Sequence, residues 1–187
     1  MSEPIAVSKE LIRQLVEGTI DEDNAERLLK MPRKDKARFF NYLAVLQERV
    51  SWSERILLRL GDRIYIVAKA PGERVVKCDC GQEFGNYREN WKLKCRIRTR
   101  KTLAAMAQVF APAPAVPEPG WQEVREFFCP QCATQHAVEV VAPGYPVVME
   151  LLPDLDKFYR DYLAQPLADE AGDWYEDRSA NVTARWA

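Results

Sequence analysis

Two short cysteine clusters constrain the fold of this sequence more than any other feature. They read Cys-Asp-Cys-Gly at 78–81 and Cys-Pro-Gln-Cys at 129–132. Tetrahedral zinc sites are commonly completed by two pairs of thiolates that come from two separate loops. We therefore expect one zinc ion to join the two clusters, with four protein ligands: Cys78, Cys80, Cys129 and Cys132.

The spacing within each cluster determines how tightly its backbone must turn. The second pair has the two intervening residues that are usual for zinc, whereas Cys78 and Cys80 are one residue closer. Gly81 supplies the permissive backbone that so tight a loop needs. Ala133 stands at the corresponding place in the second loop, where a left-handed conformation would cost on the order of 1 kcal/mol.

Other uses of these thiols stay open at this stage. His136, the one histidine of the sequence, follows Cys132 closely and could replace Cys78 as a ligand. A rubredoxin-like iron site needs the same four thiolates, and a disulfide or an empty thiol cluster would also account for the pairs. In a reducing compartment, however, clustered thiols are more often metal ligands than disulfides.

The predicted site is structural rather than catalytic. Zinc with four thiolate ligands has no open coordination position, so it stabilises a fold and does not activate water. The fifth thiol, Cys95, is expected to be a small buried side chain. The sequence shows no Ser-His-Asp arrangement and no phosphate-binding glycine loop. We therefore expect no catalytic residue in this chain.

Composition argues against two classes of function. Lys and Arg number 27 against 28 Asp and Glu, a formal charge of -1, so no global basic field favours nucleic acid. No apolar run approaches the roughly 18 residues of a membrane span, and the polar start at Met1 does not read as a signal peptide. We expect a cytoplasmic protein that does not bind membranes.

The order of the predicted elements indicates an α+β fold. Residues 1–60 are predicted to form a helical arm and residues 61–152 a small antiparallel, zinc-ribbon-like β domain. Residues 153–187 are predicted to form a C-terminal helix and an acidic tail, with Asp and Glu residues around Trp174 and Tyr175.

Apolar spacing predicts three helices in the arm. The first two are near or below the length at which isolated helices become marginal, about 12 to 15 residues. They must therefore pack either on this chain or around a partner subunit, in which case the arm would be buried only in the complex. The helices run from Ser8 to a cap at Gly18, from a Thr19–Glu22 capping box to Met31, and from about Arg33 to Val50.

The β domain is predicted from β-branched runs bounded by turn residues. A hairpin ends at the first cysteines, residues 84–91 read as irregular, and the proline-rich residues 111–120 read as an extended spacer. The remaining predicted elements are strands at 63–69, 74–77, 92–100 and 135–141, a segment at 121–128 that leads into the second cysteines, a short helix at 102–110 and a helix from Pro153 through Leu163.

Residues 92–100 alternate strictly between cations and uncharged residues, as expected of a strand with two different faces. The uncharged residues are expected to face inward, and the cations to project together from the other face. That basic face would be solvated, docked on an acidic partner, or bound to phosphate or nucleic acid. The inward set is Leu93, Cys95, Ile97 and Thr99, and the outward set is Lys92, Lys94, Arg96, Arg98 and Arg100.

Several longer stretches carry a family resemblance. The most specific is CDCGQEFGNYRENWKL at 78–93, and the others are LQERV at 46–50 with Trp52, REFFCPQC at 125–132, GYPVV at 144–148 with LPDL at 152–155, and the pair Phe158-Tyr159. Together they resemble the small (gamma) subunit of the acetone and acetophenone carboxylases, in the same order over about residues 9–167. The segment after Leu167 has no counterpart.

The resemblance implies a biotin-independent, ATP-dependent carboxylase that converts acetone and bicarbonate to acetoacetate while ATP is cleaved to AMP and phosphate. It implies two larger subunits, which carry the manganese and nucleotide sites, assembled with this one in a duplicated hetero-oligomer. Acetophenone carboxylase has a similar small subunit, so the sequence does not fix the ketone. The alternative hypothesis is a zinc-ribbon adaptor for nucleic acid or regulation that uses the basic strand.

Overall fold

The computed structural model describes residues 6–32, 35–70, 72–110, 115–169, 176–184 and 186. These residues form helices and antiparallel strands, so the predicted α+β class is confirmed. The helices are α1 Lys9–Glu17, α2 Glu22–Lys30, α3 Ala37–Gln47, α4 Leu103–Met106, α5 Leu155–Lys157 and α6 Ala180–Thr183. The strands are β1 Arg55–Gly61, β2 Ile64–Ala70, β3 Glu73–Cys78, β4 Glu83–Asn86, β5 Arg96–Arg100, β6 Glu123–Phe128 and β7 Gln135–Val141.

The strands make two small sheets, and successive strands pair in each. Sheet A has the order β1-β2-β3-β4, and sheet B has the order β5-β6-β7. Sheet A is covered on both faces, which is why β2 is apolar at consecutive positions rather than alternating. Tyr65 and Val67 pack with α3 on one face, while Ile64 and Ile66 pack with the C-terminal helix on the other.

The N-terminal arm folds back onto sheet A of the same chain. Its own small core includes Leu11 of α1, Leu28 of α2 and Val45 of α3. Leu43 and Leu46, on the opposite side of α3, pack against sheet A. Of the two alternatives, packing on this chain is therefore confirmed, and burial of the arm only in a complex is wrong. Short helices gain their stability from tertiary packing, and this chain supplies the surface.

Local capping sets the arm's helix boundaries. Ser8 accepts from the Leu11 amide at the start of α1, and Gly18 ends that helix at φ 72°, as the sequence predicted. The predicted Thr19 capping box is wrong. Asp21 caps α2 instead, because its carboxylate accepts from the Asn24 amide at 2.9 Å. Helix α3 is shorter than predicted, and residues 33 and 34 lie outside the described part.

The C-terminal helix begins next to Pro153, as predicted, and Asp154 caps it. It continues past α5 as a π-helical turn over Phe158–Tyr162. The buried Tyr159 hydroxyl donates to the Leu57 carbonyl at 2.7 Å. The buried Asp156 carboxylate accepts from Arg74 of β3 at 2.5 Å. These two long-range bonds fix the helix against β1 and β3 of sheet A.

Residues 92–100 differ from the prediction. Residues Trp91–Lys94 form a 3-10 turn, and β5 begins only at Arg96. Lys92 and Arg100 are buried, with 2% and 5% of their surfaces exposed, while Ile97 and Thr99 are exposed. The five cations therefore do not share one solvent face. Lys92 is held by the carboxylates of Glu139 and Glu150, and Arg100 by that of Glu126.

Smaller differences follow from contacts that are remote in sequence. Residues 83–86 form β4 because they pair with β3, so the prediction that residues 84–91 are irregular is wrong for residues 84–86. The helix predicted at 102–110 is a single turn, α4, capped by Thr102. Residues 111–114 of the proline-rich spacer, and Glu170 to Tyr175 of the acidic tail, lie outside the described residues. Within the described part, no helix is long and apolar enough to cross a membrane.

Candidate metal centre

The two cysteine clusters lie at the tips of two hairpins, one from each sheet. Cys78 ends β3 and Cys80 lies in the turn before β4, while Cys129 and Cys132 occupy the turn between β6 and β7. The hairpins face each other, so residues far apart in sequence meet at one point. The four cysteines thus stand at the junction between sheet A and sheet B.

The four Sγ atoms lie within 4.8 Å of one another. The Cys78–Cys132 and Cys80–Cys129 sulfur separations are both 3.7 Å. A tetrahedral zinc ion with Zn–S bonds of about 2.3 Å requires S···S separations of about 3.8 Å. A disulfide needs about 2.05 Å, and all the cysteines are free thiols. The donor set and its spacing therefore fit a tetrathiolate metal ion.

Both hairpin tips reach this geometry through the same backbone pattern. The Cys78 amide donates to the Gln82 carbonyl at 2.9 Å, and the Cys129 amide donates to the Thr134 carbonyl at 2.8 Å. Gly81 lies at φ 95° and Ala133 at φ 58°, so both tips turn through the left-handed region. The alanine therefore adopts the conformation that usually favours glycine, at the cost expected from its sequence position.

The thiols differ in acidity because their surroundings differ. Burial raises the pKa of Cys78 and of Cys80 above the usual value for a thiol. Burial also opposes the Cys132 thiolate, but the hydroxyl and amide of Thr134 donate to its sulfur and lower its pKa to about 6. Metal binding must therefore displace protons from Cys78 and Cys80 near neutral pH.

The contacts of His136 are with groups other than the four thiols. Its Nδ1 lies 3.1 Å from the carbonyl oxygen of Asp62, and its ring packs edge-on against Phe84 and Trp91. Burial lowers its pKa below the usual histidine value. The group of potential metal ligands found among the described residues comprises the four cysteines and does not include His136.

Three residues that sequence reasoning did not single out support the metal centre. The Trp52 indole nitrogen donates to the carbonyls of Cys78 and Asp79 at 3.2 and 3.1 Å. Arg63 Nε donates to the Asp79 carboxylate at 2.6 Å, which braces the residue between the first two cysteines. Thr134 supports the second loop. Of these, only Trp52 had a sequence signal, as part of the family resemblance.

Cys95 lies near this cluster without being one of its ligands. It is half-buried against the core that includes Cys78 and Cys129. Burial raises the pKa of its thiol to about 12. Such a thiol is a weak nucleophile at neutral pH, in agreement with the packing role expected for it.

Comparison with known proteins identifies the family. A family model described as "Acetone carboxylase gamma subunit" matches residues 50–163. The acetone carboxylase gamma subunit of Xanthobacter autotrophicus is 39% identical over 168 residues, which cover 89% of this chain and 99% of that protein. The chain belongs to the acetone carboxylase gamma subunit family. The resemblance read from the sequence is thereby confirmed.

A second relative is more distant. The acetophenone carboxylase beta subunit of Aromatoleum aromaticum is 26% identical over 112 residues, which cover 59% of this chain and 79% of that protein. The region matched by the gamma subunit family model contains both cysteine pairs and all the strands of both sheets. The hairpins that present the four thiols therefore lie within the matched region.

Proposed function

We propose that this chain is the zinc-binding, non-catalytic small subunit of a biotin-independent, ATP-dependent ketone carboxylase that forms acetoacetate from acetone and bicarbonate. Membership of the acetone carboxylase gamma subunit family carries the proposal. In this proposal two larger subunits hold manganese and ATP or AMP. They assemble with this chain in a duplicated hetero-oligomer, and the complex is cytoplasmic.

The proposed role of the metal is structural. Cys78, Cys80, Cys129 and Cys132 would hold zinc, which supplies a crosslink and no open coordination position. The crosslink joins the β3–β4 hairpin of sheet A to the β6–β7 hairpin of sheet B. The two sheets are thereby held as one rigid surface that larger subunits can recognise.

Metal analysis with a matched pair of cysteine variants tests the zinc assignment. The purified chain should contain one zinc ion per molecule and little iron. Cys80→Ser should lose the zinc, whereas Cys95→Ser should keep it because Cys95 lies outside the four-thiol cluster. Iron in the native protein, or zinc retained by the Cys80 variant, would contradict the tetrathiolate zinc site.

Activity measurements test whether catalysis belongs to the larger subunits and not to this chain. The isolated chain should show no acetone-dependent hydrolysis of ATP, and the complex with both larger subunits should release AMP and form acetoacetate. Turnover by the isolated chain would contradict the non-catalytic role. An assembled complex that carboxylates acetophenone but not acetone would correct the substrate and leave the subunit role in place.

A further inference from the structure

Strand β5 is an open edge of sheet B. The sheet order is β5-β6-β7, so β6 occupies one side of β5, and among the described residues no strand pairs with the other side. Four consecutive residues, 96–99, are exposed. A strand edge of this kind presents unpaired N–H and C=O groups that can hydrogen-bond another extended chain.

This edge also carries positive charge that the acidic side chains of the described residues neutralise only in part. The single carboxylate of Glu126 lies 2.6 Å from Arg100 Nε, and Arg98 Nε lies farther from it, at 3.9 Å. Arg98 leaves 57% of its side chain exposed. Within the described ranges, no acidic side chain lies within 4.0 Å of Arg96.

Arg96 and Arg98 project from the same side of the strand, because residues two apart share a face. Ile97 lies between them on the opposite face, with 41% of its surface exposed. The edge therefore offers guanidinium groups on one face and an apolar side chain on the other. A partner that fits is an extended segment in which acidic and apolar residues alternate.

We propose that β5 is the docking edge for an acidic, extended segment of one of the larger carboxylase subunits, an inference that rests on the proposed function for the identity of that partner. The segment adds a fourth strand to sheet B through main-chain hydrogen bonds. Its carboxylates pair with Arg96 and Arg98, and an apolar residue covers Ile97. The charges select the partner and speed its encounter with the edge.

The same side chains fit nucleic acid less well. Single-stranded nucleic acid is usually bound by aromatic platforms interleaved with cations. On this face the neighbours of Arg98 in the sheet are Glu126 and Val138, and the cross-strand neighbour of Arg96 is Phe128. One aromatic ring beside two arginines does not make a series of stacking platforms. Glu126 repels phosphate and carboxylate alike, so the charges alone do not distinguish the two partners. The open strand edge does, because an extended peptide can pair with its N–H and C=O groups through main-chain hydrogen bonds and a sugar-phosphate backbone cannot.

The test uses this chain co-expressed with both larger subunits. Arg96→Glu with Arg98→Glu should weaken assembly at least about 10-fold, since attractive contacts become repulsive ones. Arg27→Glu with Lys30→Glu is the matched control, because those exposed α2 cations change the charge equally, away from β5. Zinc content and far-UV circular dichroism should stay unchanged in both double variants.

Hydrogen exchange then separates edge pairing from charge alone. Amides of 96–100 should exchange more slowly in the assembled complex than in the isolated chain. Normal assembly of the Arg96/Arg98 variant, or unchanged exchange at 96–100, would overturn the proposal. So would tight, steeply salt-dependent binding of DNA or RNA to the wild-type edge. Failure of the wild-type chain to assemble with the larger subunits would instead refute the proposed function itself.

Discussion

The buried Lys92 gives the sharpest prediction about stability. Its Nζ lies 2.5 Å from the Glu139 carboxylate and 2.9 Å from that of Glu150. The side chains of Lys92 and Glu139 are only 3% and 9% exposed, whereas Glu150 is 61% exposed. Lys92→Met keeps the volume of the side chain but leaves the Glu139 carboxylate buried without its cation.

We expect Lys92→Met to lower the free energy of unfolding by about 3 to 5 kcal/mol. This is the usual cost of removing one partner of a buried ion pair and leaving the other charge buried. Glu150 adds little to this figure, because a solvated carboxylate loses little when its partner is removed. Urea unfolding of the zinc-loaded chain, followed by circular dichroism, measures the difference at one fixed pH.

Lys94→Met is the matched control from the same segment. The Lys94–Glu89 pair is 35% and 18% exposed, so its loss should cost no more than about 1 kcal/mol. Replacing both charges, as Lys92→Met with Glu139→Gln, should recover most of the loss, since no unpaired charge is then buried. Equal losses for Lys92 and Lys94, or no recovery in the double variant, would refute this account of the buried pair.

Three further predictions concern the hairpin tips and the core. Ala133→Gly should raise the free energy of unfolding by about 0.5 kcal/mol in urea titrations. Relief of the left-handed backbone strain in the folded state should exceed the entropy that glycine adds to the unfolded chain. A destabilised variant would contradict the left-handed turn at Ala133. Tyr159→Phe should cost about 1 to 2 kcal/mol by the same assay, because the buried Leu57 carbonyl loses its donor; no loss would mean that another donor reaches that carbonyl. Burial lowers the pKa of folded His136, so the unfolded chain binds its proton more tightly. The stability from neutral His136 is complete above its unfolded pKa of about 6.5 and is lost as pH falls from there through the lower folded value. His136→Asn should therefore flatten the pH dependence of unfolding in that window, and an unchanged slope would show that His136 is not its source.

The sequence predicted the elements whose signals are local. Ser8 and Gly18 mark the ends of α1 because capping depends on adjacent backbone groups. Strand β7 was predicted at 135–141 and is found there. The cysteine spacing correctly indicated that two remote loops meet, because few other arrangements bring together four thiols that occur in pairs.

The sequence could not predict which charges are buried. The alternation of 92–100 looked like a uniform basic face, but the carboxylates that bury Lys92 and Arg100 come from positions 139, 150 and 126. Likewise, residues 55–61 and 83–86 become strands through pairing with β2 and β3. Such contacts depend on topology, which local patterns do not encode.

Native mass spectrometry of this chain, purified with its partners from the source cells, tests most directly whether it is a zinc-stabilised carboxylase subunit. We predict a complex that contains two larger subunit types and two copies of this chain, with each copy carrying a mass increment of one zinc ion. A chain that is recovered without larger subunits, or whose mass shows no bound metal, would contradict the proposal that it is a zinc-stabilised carboxylase subunit.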